Sequence, residues 1–241
     1  MSAGIPDNLT RLETAIADAC FRAGRNRSDV TLVAVTKTRP PEEVSAAIAA
    51  GITDVGENRV QEAATKRPLV AAAARWHLIG NLQTNKAKKA IELFDIIHSV
   101  DSLRLAEELD RRAQGHDRNP PGISDRVPVL PVLVEVNTSA EPSKHGVEPE
   151  STPALVEQLL ALRNLEVTGL MTIGPGWAIE DPEASRPCFR RLRSLAEDCR
   201  RRFAIPLPNL SMGMSSDFAV GIEEGATIIR VGTAIFGPRQ A

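Results

Sequence analysis

The sequence predicts an α/β protein, a single TIM-type (β/α)8 barrel with one extra helix in front. Three observations carry that expectation. Short apolar runs alternate with helix-period segments along the whole chain, eight strand candidates lie between Val30 and Phe236, and no connection is long enough to hide another domain. Residues 1–241 therefore read as one unit, and eight β/α repeats in that length match the size of such a barrel. An open doubly wound sheet is the alternative, weakened because no G-x-G-x-x-G or P-loop pattern follows any strand.

The elements follow in order. Leu9, Leu12, Ile16, Ala19 and Ala23 recur at helical spacing from Asp7 to Ala23, and Gly24 stops that helix. Val30 to Lys37 is an apolar, β-branched run of the kind buried on both faces of a parallel sheet. Pro41 with Glu42 and Glu43 starts the next helix, which ends at Gly51. Ile52–Val55, Trp76–Ile79 and Phe94–Val100 read as the second to fourth strands. Thr84 is a candidate cap for the basic helix 85–93, and Asp101-Ser102 for the helix carrying Leu103, Ala106 and Leu109. The Pro-, Gly- and Asn-rich stretch from Gly115 to Asp125 reads as the most flexible insertion. Val127–Val136, Leu165–Ile173, Leu210–Met214 and Ala226–Phe236 complete the strands, with helices over 152–162, 183–203 and 218–224 between them.

Composition narrows the function classes. Lys+Arg is 29 against Asp+Glu 31, a formal net charge of -2, which calls for neither nucleic acid nor an anionic membrane surface. No apolar run is long enough to span a bilayer, and Met1–Thr10 lacks the order of a signal peptide, so a cytoplasmic protein is expected. Cys20, Cys188 and Cys199 are odd in number and widely spaced, which suits buried thiols better than disulfides. Four scattered histidines give no metal-ligand pattern; His77 reads as a hydrogen-bonded core residue, while His98 and His116 carry no signal. Seven arginines between Arg186 and Arg202 lie opposite an apolar stripe of Phe189, Leu192, Ala196, Cys199 and Phe203, the pattern of an outer helix with a solvated basic face.

In such a barrel the chemistry collects at the carboxyl ends of the strands. Those ends bring together Lys37, Asn58, His77, Lys144, Met171, Ser211 and Arg230 with Gly232-Thr233. Lys37 closes a buried strand, and a desolvated lysine amine is a nucleophile towards carbonyls; the bland alternative is a snorkelling surface lysine. Arg230 sits inside Thr-Ile-Ile-Arg-Val-Gly-Thr-Ala-Ile-Phe-Gly, where a permanent cation demands an acceptor, either a ligand or an internal carboxylate. Gly232 lets a ligand approach the backbone and Thr233 offers a hydroxyl and an N–H, a natural phosphate seat. A lysine amine with a phosphate seat suits a phosphorylated aldehyde. Pyridoxal 5'-phosphate (PLP) fits, and so does a sugar phosphate on a Schiff-base aldolase.

The segments V-A-V-T-K-T-R-P, G-E-N-R-V-Q-E, W-H-L-I-G-N-L-Q-T-N-K, L-S-M-G-M-S-S-D and I-R-V-G-T-A-I-F-G closely resemble the YggS/PROSC-type pyridoxal phosphate homeostasis proteins, which are related to the N-terminal barrel of alanine racemase. That resemblance runs nearly end to end. It implies a single barrel, without established catalytic turnover, that holds PLP as a Schiff base on Lys37; the expected role is to buffer PLP or deliver it to PLP-dependent apoenzymes, and the lack of a second domain suggests a monomer. It further implies Arg230 at the pyridine nitrogen, Ser211, Gly232 and Thr233 at the phosphate, Asn58 beside the ring, and Lys144 in handing the cofactor on. Arg59, where many relatives have tyrosine, and His145, where a small residue is usual, depart from the pattern. The alternative is a PLP-dependent amino-acid racemase or related isomerase or lyase. The resemblance disfavours it, since the racemase design uses a tyrosine from a second domain and this chain has no tyrosine.

Overall fold

A computed structural model describes residues 4–115 and 129–238. Most of the insertion expected after Gly115, together with Val127 and Pro128, lies outside the described residues.

Eight parallel strands close on themselves in chain order: β1 (Thr31–Val35), β2 (Asp54–Glu57), β3 (Arg75–Leu78), β4 (Ile96–Val100), β5 (Leu130–Glu135), β6 (Leu165–Met171), β7 (Asn209–Ser211) and β8 (Ile228–Val231). The closing pair sets β1 against β8, with Val33 opposite Arg230 and Ala34 opposite Val231. The barrel of the sequence reading is therefore the fold. Side chains alternate across each strand. Leu32, Ala34, Ile229 and Val231 pack outward under the helices, while Val33, Leu133, Met171 and Ile228 form a separate apolar cluster inside. Both faces are buried, which is why the strands read as unbroken apolar runs rather than alternating ones.

The outer ring consists of α2 (Pro41–Ala49), α3 (Val60–Lys66), α4 (Ala87–Leu93), α5 (Leu103–Ala113), α6 (Thr152–Leu159), α7 (Arg186–Phe203) and α8 (Phe218–Glu223). The extra helix α1 (Ile5–Arg22) lies against the last of these and against a short closing helix, α9 (Thr233–Phe236). Asn8 Nδ2 donates to the Ile235 carbonyl at 2.8 Å, and Arg25 Nη1 donates to the Ala226 carbonyl at 2.7 Å. No helix among the described residues is long and apolar enough to cross a membrane.

Several boundaries differ from the sequence reading. β1 ends at Val35, so Lys37 stands in the turn beyond it. β2 runs two residues further than expected, through Gly56 and Glu57, because the buried Glu57 carboxylate has its own cation in Lys66. β8 stops at Val231 and the apolar residues after it form α9. Thr84 opens a 3-10 turn and caps nothing with its side chain, whereas Ser102 Oγ does accept from the Leu105 N–H at 3.4 Å. The α7 arginines are not simply solvated. Arg186, Arg190 and Arg193 converge on Glu224, which is 3% exposed, at 2.8, 3.0 and 3.2 Å, and so tie α7 to the end of α8. All three cysteines are buried free thiols.

Closure needs close strand approach between β6 and β7. Gly169 pairs with Asn209, and a Cβ at Gly169 would stand 2.0 Å from the Asn209 carbonyl oxygen. Gly169→Ala should therefore destabilise the barrel by about 1–3 kcal/mol or more through overpacking, seen as a lower urea midpoint at unchanged slope.

Candidate functional site

The site is assembled at the carboxyl end of the barrel by groups on the strands, or in the turns after them, with a hydrogen-bonded network running below it. Lys37 is half-buried on a turn that α3 holds from below. Lys66, at 5% exposure, donates to the Thr36 carbonyl at 2.7 Å, to Glu57 Oε1 at 2.5 Å and to Glu62 Oε1 at 2.9 Å. Thr36 Oγ1 adds a hydrogen bond to Glu57 Oε1 at 2.6 Å, and the Thr38 N–H donates to Glu62 Oε1. Both neighbours of Lys37 are thus fixed. Thr38 adopts φ of 62°, a left-handed conformation uncommon for a β-branched residue and persistent only where the surroundings enforce it. Burial pushes the Glu57 carboxyl up, against hydrogen bonds from Lys66 and Thr36 that pull it down.

Arg230 points into the barrel and is 4% exposed. Its Nη1 donates to Ser211 Oγ at 2.6 Å and its Nη2 to the Thr172 carbonyl at 2.8 Å. Among the described residues it forms no ion pair with a carboxylate, so the internal Arg–carboxylate alternative does not hold. Burial pulls its pKa down to about 10, which leaves it a cation at neutral pH.

From Ser211 the hydrogen bonds continue across the interior. Ser211 Oγ meets His98 Nδ1 at 3.0 Å, His98 Nε2 meets His77 Nδ1 at 2.9 Å, and His77 Nε2 meets Asp54 Oδ1 at 2.8 Å. Ser211 Oγ accepts from the guanidinium and the Asp54 carboxylate accepts from His77, so one hydroxyl and two imidazoles link Arg230 to Asp54. Burial, with His77 and Arg230 nearby, holds the His98 pKa well below its ordinary value and keeps its ring neutral. Asp54 also accepts from the Thr53 hydroxyl at 2.7 Å and from Arg75 Nε at 2.8 Å.

Two of the expected phosphate residues, Gly232 and Thr233, follow β8, the strand paired with the one that leads to Lys37. Gly232 follows β8, next to β1, and a Cβ there would meet the Val35 carbonyl oxygen at 3.2 Å. Its N–H donates to Ser215 Oγ at 3.3 Å. Thr233 is exposed at the start of α9, where helix geometry leaves N–H groups without an internal acceptor. Ser211, by contrast, is fully buried with its hydroxyl held between Arg230 and His98. Asp217 braces the loop after β7, accepting from the Met214 N–H at 2.7 Å and from Ser185 Oγ at 2.6 Å. Asn58 follows β2 and its Oδ1 is buried without a partner. Lys144 donates to the Gly174 carbonyl at 2.6 Å and pairs with Glu141 at 2.6 Å.

The sequence reading missed His98, Asp54, Lys66 and Glu135. The signal for His98 was its parity in Ile96-Ile97-His98-Ser99-Val100, which shares the inward face with Ile96. For Lys66 there was only an apolar helix face interrupted by one cation, with no local sign of its partner on β2.

Residues 15–240 match the family model described as alanine racemase, N-terminal domain. The chain is 44% identical to the pyridoxal phosphate homeostasis protein of Aquifex aeolicus, over 97% of this chain and 98% of that one. It is 36% identical to the protein of the same name from Escherichia coli, over 98% and 97%. Among solved structures it superposes on PipY of Synechococcus elongatus with PLP bound at a TM-score of 0.79 and 37% identity, covering 97% of this chain and 100% of that one. An alanine racemase of Clostridium difficile shares the fold, with a TM-score of 0.72 at 14% identity over 98% of this chain and 58% of that one.

The hydrogen bonds at Asp54 carry a pH prediction. Burial acts to raise this carboxyl, but hydrogen bonds from His77, Thr53 and Arg75 outweigh it and bring the value from 3.8 down to about 2. The folded value is the depressed one, so the stabilisation is complete above about pH 4 and is lost as pH falls towards 2. Asp54→Asn should cost about 2 kcal/mol or more at neutral pH, and its difference from the parent should shrink across that acid window in urea titrations.

Proposed function

The chain belongs to the alanine racemase N-terminal domain family and, within it, to the pyridoxal phosphate homeostasis proteins, and from that membership we propose that it binds PLP through Lys37 and serves in the homeostasis and delivery of that cofactor. The observation that carries this reading is that Lys37, in the turn after β1, and Gly232 and Thr233, just after the neighbouring strand β8, stand at the same end of the barrel, with the buried Arg230 guanidinium inside it. The residues present fit the group. Lys37 supplies an amine for the aldehyde carbon, and the exposed start of α9 at Thr233, beside Gly232, supplies donors for a phosphate. Arg230 supplies a charged donor for the ring nitrogen, and Asn58 a free acceptor at the ring's edge. Ser211 is assigned to orienting Arg230 rather than to the phosphate, because its hydroxyl is already committed there.

PLP supplies a reactive aldehyde and an electron-withdrawing ring. A guanidinium facing the ring nitrogen donates a hydrogen bond and leaves that nitrogen without a proton of its own, which weakens the ring as an electron sink. With no tyrosine in the chain, a tyrosine base is absent as well. Both features favour a protein that holds and passes on the cofactor over one that turns over amino acids.

Two outcomes are expected. Borohydride reduction of the PLP-loaded protein should leave one reduced pyridoxyl group on Lys37 by peptide mass spectrometry, and Lys37→Ala should lose it while keeping phosphate-dependent, non-covalent binding. Incubation of the loaded protein with L-alanine should yield no accumulating D-alanine by chiral chromatography; robust conversion would instead assign a racemase.

A further inference from the structure

A cavity of about 240 Å³ opens on the β2 to β6 side of the mouth. Asn58, Glu135, Asn137, Lys144, His145 and Thr172 stand among its walls. The volume is below the roughly 300–1,000 Å³ of sites that enclose a drug-sized ligand. It suits a small molecule or the tip of one side chain. The cavity reaches Asn58, which the PLP reading puts at the ring, and Thr172, whose carbonyl oxygen accepts from Arg230 at 2.8 Å.

Two wall oxygens, Glu135 Oε2 and Asn58 Oδ1, are sealed from solvent and have no hydrogen-bond partner. Glu135 as a whole is 5% exposed. A buried acceptor left empty costs about 1–3 kcal/mol, so two of them in one cavity point to a ligand group carrying more than one donor. The charge balance points the same way. Burial, then the nearby Asp101 carboxylate, push the Glu135 carboxyl up to about 7, and only Arg230 opposes them. A cation entering the cavity would relieve that penalty. Lys144 does not serve, because its ammonium is given to Gly174 and Glu141.

We propose that this cavity is a subsite for a primary ammonium group, which Glu135 and Asn58 receive next to the carbon bound to Lys37. The proposal rests on the PLP reading above. Glu135 takes one proton from the incoming ammonium and leaves a neutral amine. That amine would add to the aldehyde-derived carbon and pass one of its two protons to the Lys37 nitrogen, the bond from that carbon to the Lys37 nitrogen would break, and the proton on Glu135 would pass to the departing Lys37 amine, which leaves as the ammonium. Nothing is oxidised or reduced, and the net change is an exchange of one ammonium for another. The incoming group is the side chain of a lysine on a recipient polypeptide or a free small amine.

Two measurements test this. In the first, the PLP-loaded protein is mixed with Nα-acetyl-lysinamide or with glycinamide, and borohydride trapping follows transfer of the pyridoxyl group from Lys37 to the amine. Wild type should show a rate that saturates with amine. Glu135→Gln should keep its loading on Lys37 and lose exchange on the order of a hundredfold, the usual scale for a positioned base. Faster exchange with Nα-acetyl-lysinamide identifies a lysine side chain as the source, and faster exchange with glycinamide a free small amine. Glu135→Leu, similar in size and without polar atoms, is the second variant, and thermal unfolding checks that both fold.

In the second, cofactor-free protein is titrated with n-butylammonium and with n-butanol by NMR. The ammonium alone should give saturable shifts at Glu135 and Asn58, weakened about tenfold or more in Glu135→Gln. Equal exchange in wild type and Glu135→Gln, or no ammonium-specific shifts in the cofactor-free protein, overturns the subsite. Absence of any adduct on Lys37 of wild type overturns the PLP reading instead, and the NMR measurement still judges the cavity by itself.

Discussion

A permanent cation is held inside the barrel, and the interior is arranged around its charge. Removing a guanidinium from water costs several kcal/mol unless its donors and its charge are both answered. A carboxylate beside Arg230 would answer both, and would also draw the donors away from the mouth. The structure separates the two needs. Ser211 and the Thr172 carbonyl receive its donors at short range, while the carboxylates of Glu135 and Asp217 act on its charge without forming an ion pair with it. Neutral acceptors held in a network stabilise the cation without neutralising it. The rim can then use Arg230 as a charged donor.

The lysine is positioned by a separate device on the outside of the same sheet. β2 contributes to both through the alternation of its side chains. Asp54 faces the interior histidines, and Glu57, three residues on, faces α3 and its Lys66. Buried pairs of this kind add little net stability against an apolar replacement but are costly to break singly. Their value here is positional. With Thr36 and Thr38 tied to α3 on either side, the Lys37 amine has few places to go, and Thr38 is kept in a backbone conformation it would leave if released.

The architecture was legible because a parallel barrel writes itself as repeated apolar runs with polar residues at their ends, and eight such runs survive in the sequence. Lys37, Arg230 and Gly232-Thr233 stood out because each is chemically out of place in, or just after, an apolar strand. Strand ends were read less well where chemistry overrode pattern. Glu57 looked like loop because its cation is nine residues away on a helix, and Ile235 and Phe236 looked like strand because the outer face of α9 against α1 is also apolar. Ser211 was legible as a site residue but not as to its role, since the partners that fix it, His98 and Arg230, come from other strands. Glu135 was invisible for a similar reason. A single acid at the end of an apolar strand looks like any rim residue until the fold shows that nothing meets its oxygen.

The mouth is consequently divided by chemistry as well as by space. On the β8 and β1 side are the start of α9, the Lys37 amine and, beneath them, Arg230, all donors or cations. On the β2 to β6 side are Glu135, Asn58 and Thr172, with the nearby ammonium of Lys144 already neutralised by Glu141. On the reading proposed above, a rigid anionic ligand with a carbonyl group would be drawn to the first side, with its reactive carbon near the boundary. A cationic nucleophile would be repelled from that side and accepted on the other, which would bring it to that carbon from the side away from Lys37. Two amines of like charge cannot approach one carbon through a common channel without mutual repulsion, and an acid on the far side removes that obstacle by taking the proton that carries the charge. On that reading, division of the rim into a donor half and an acceptor half would let a covalently held ligand leave by exchange rather than by hydrolysis.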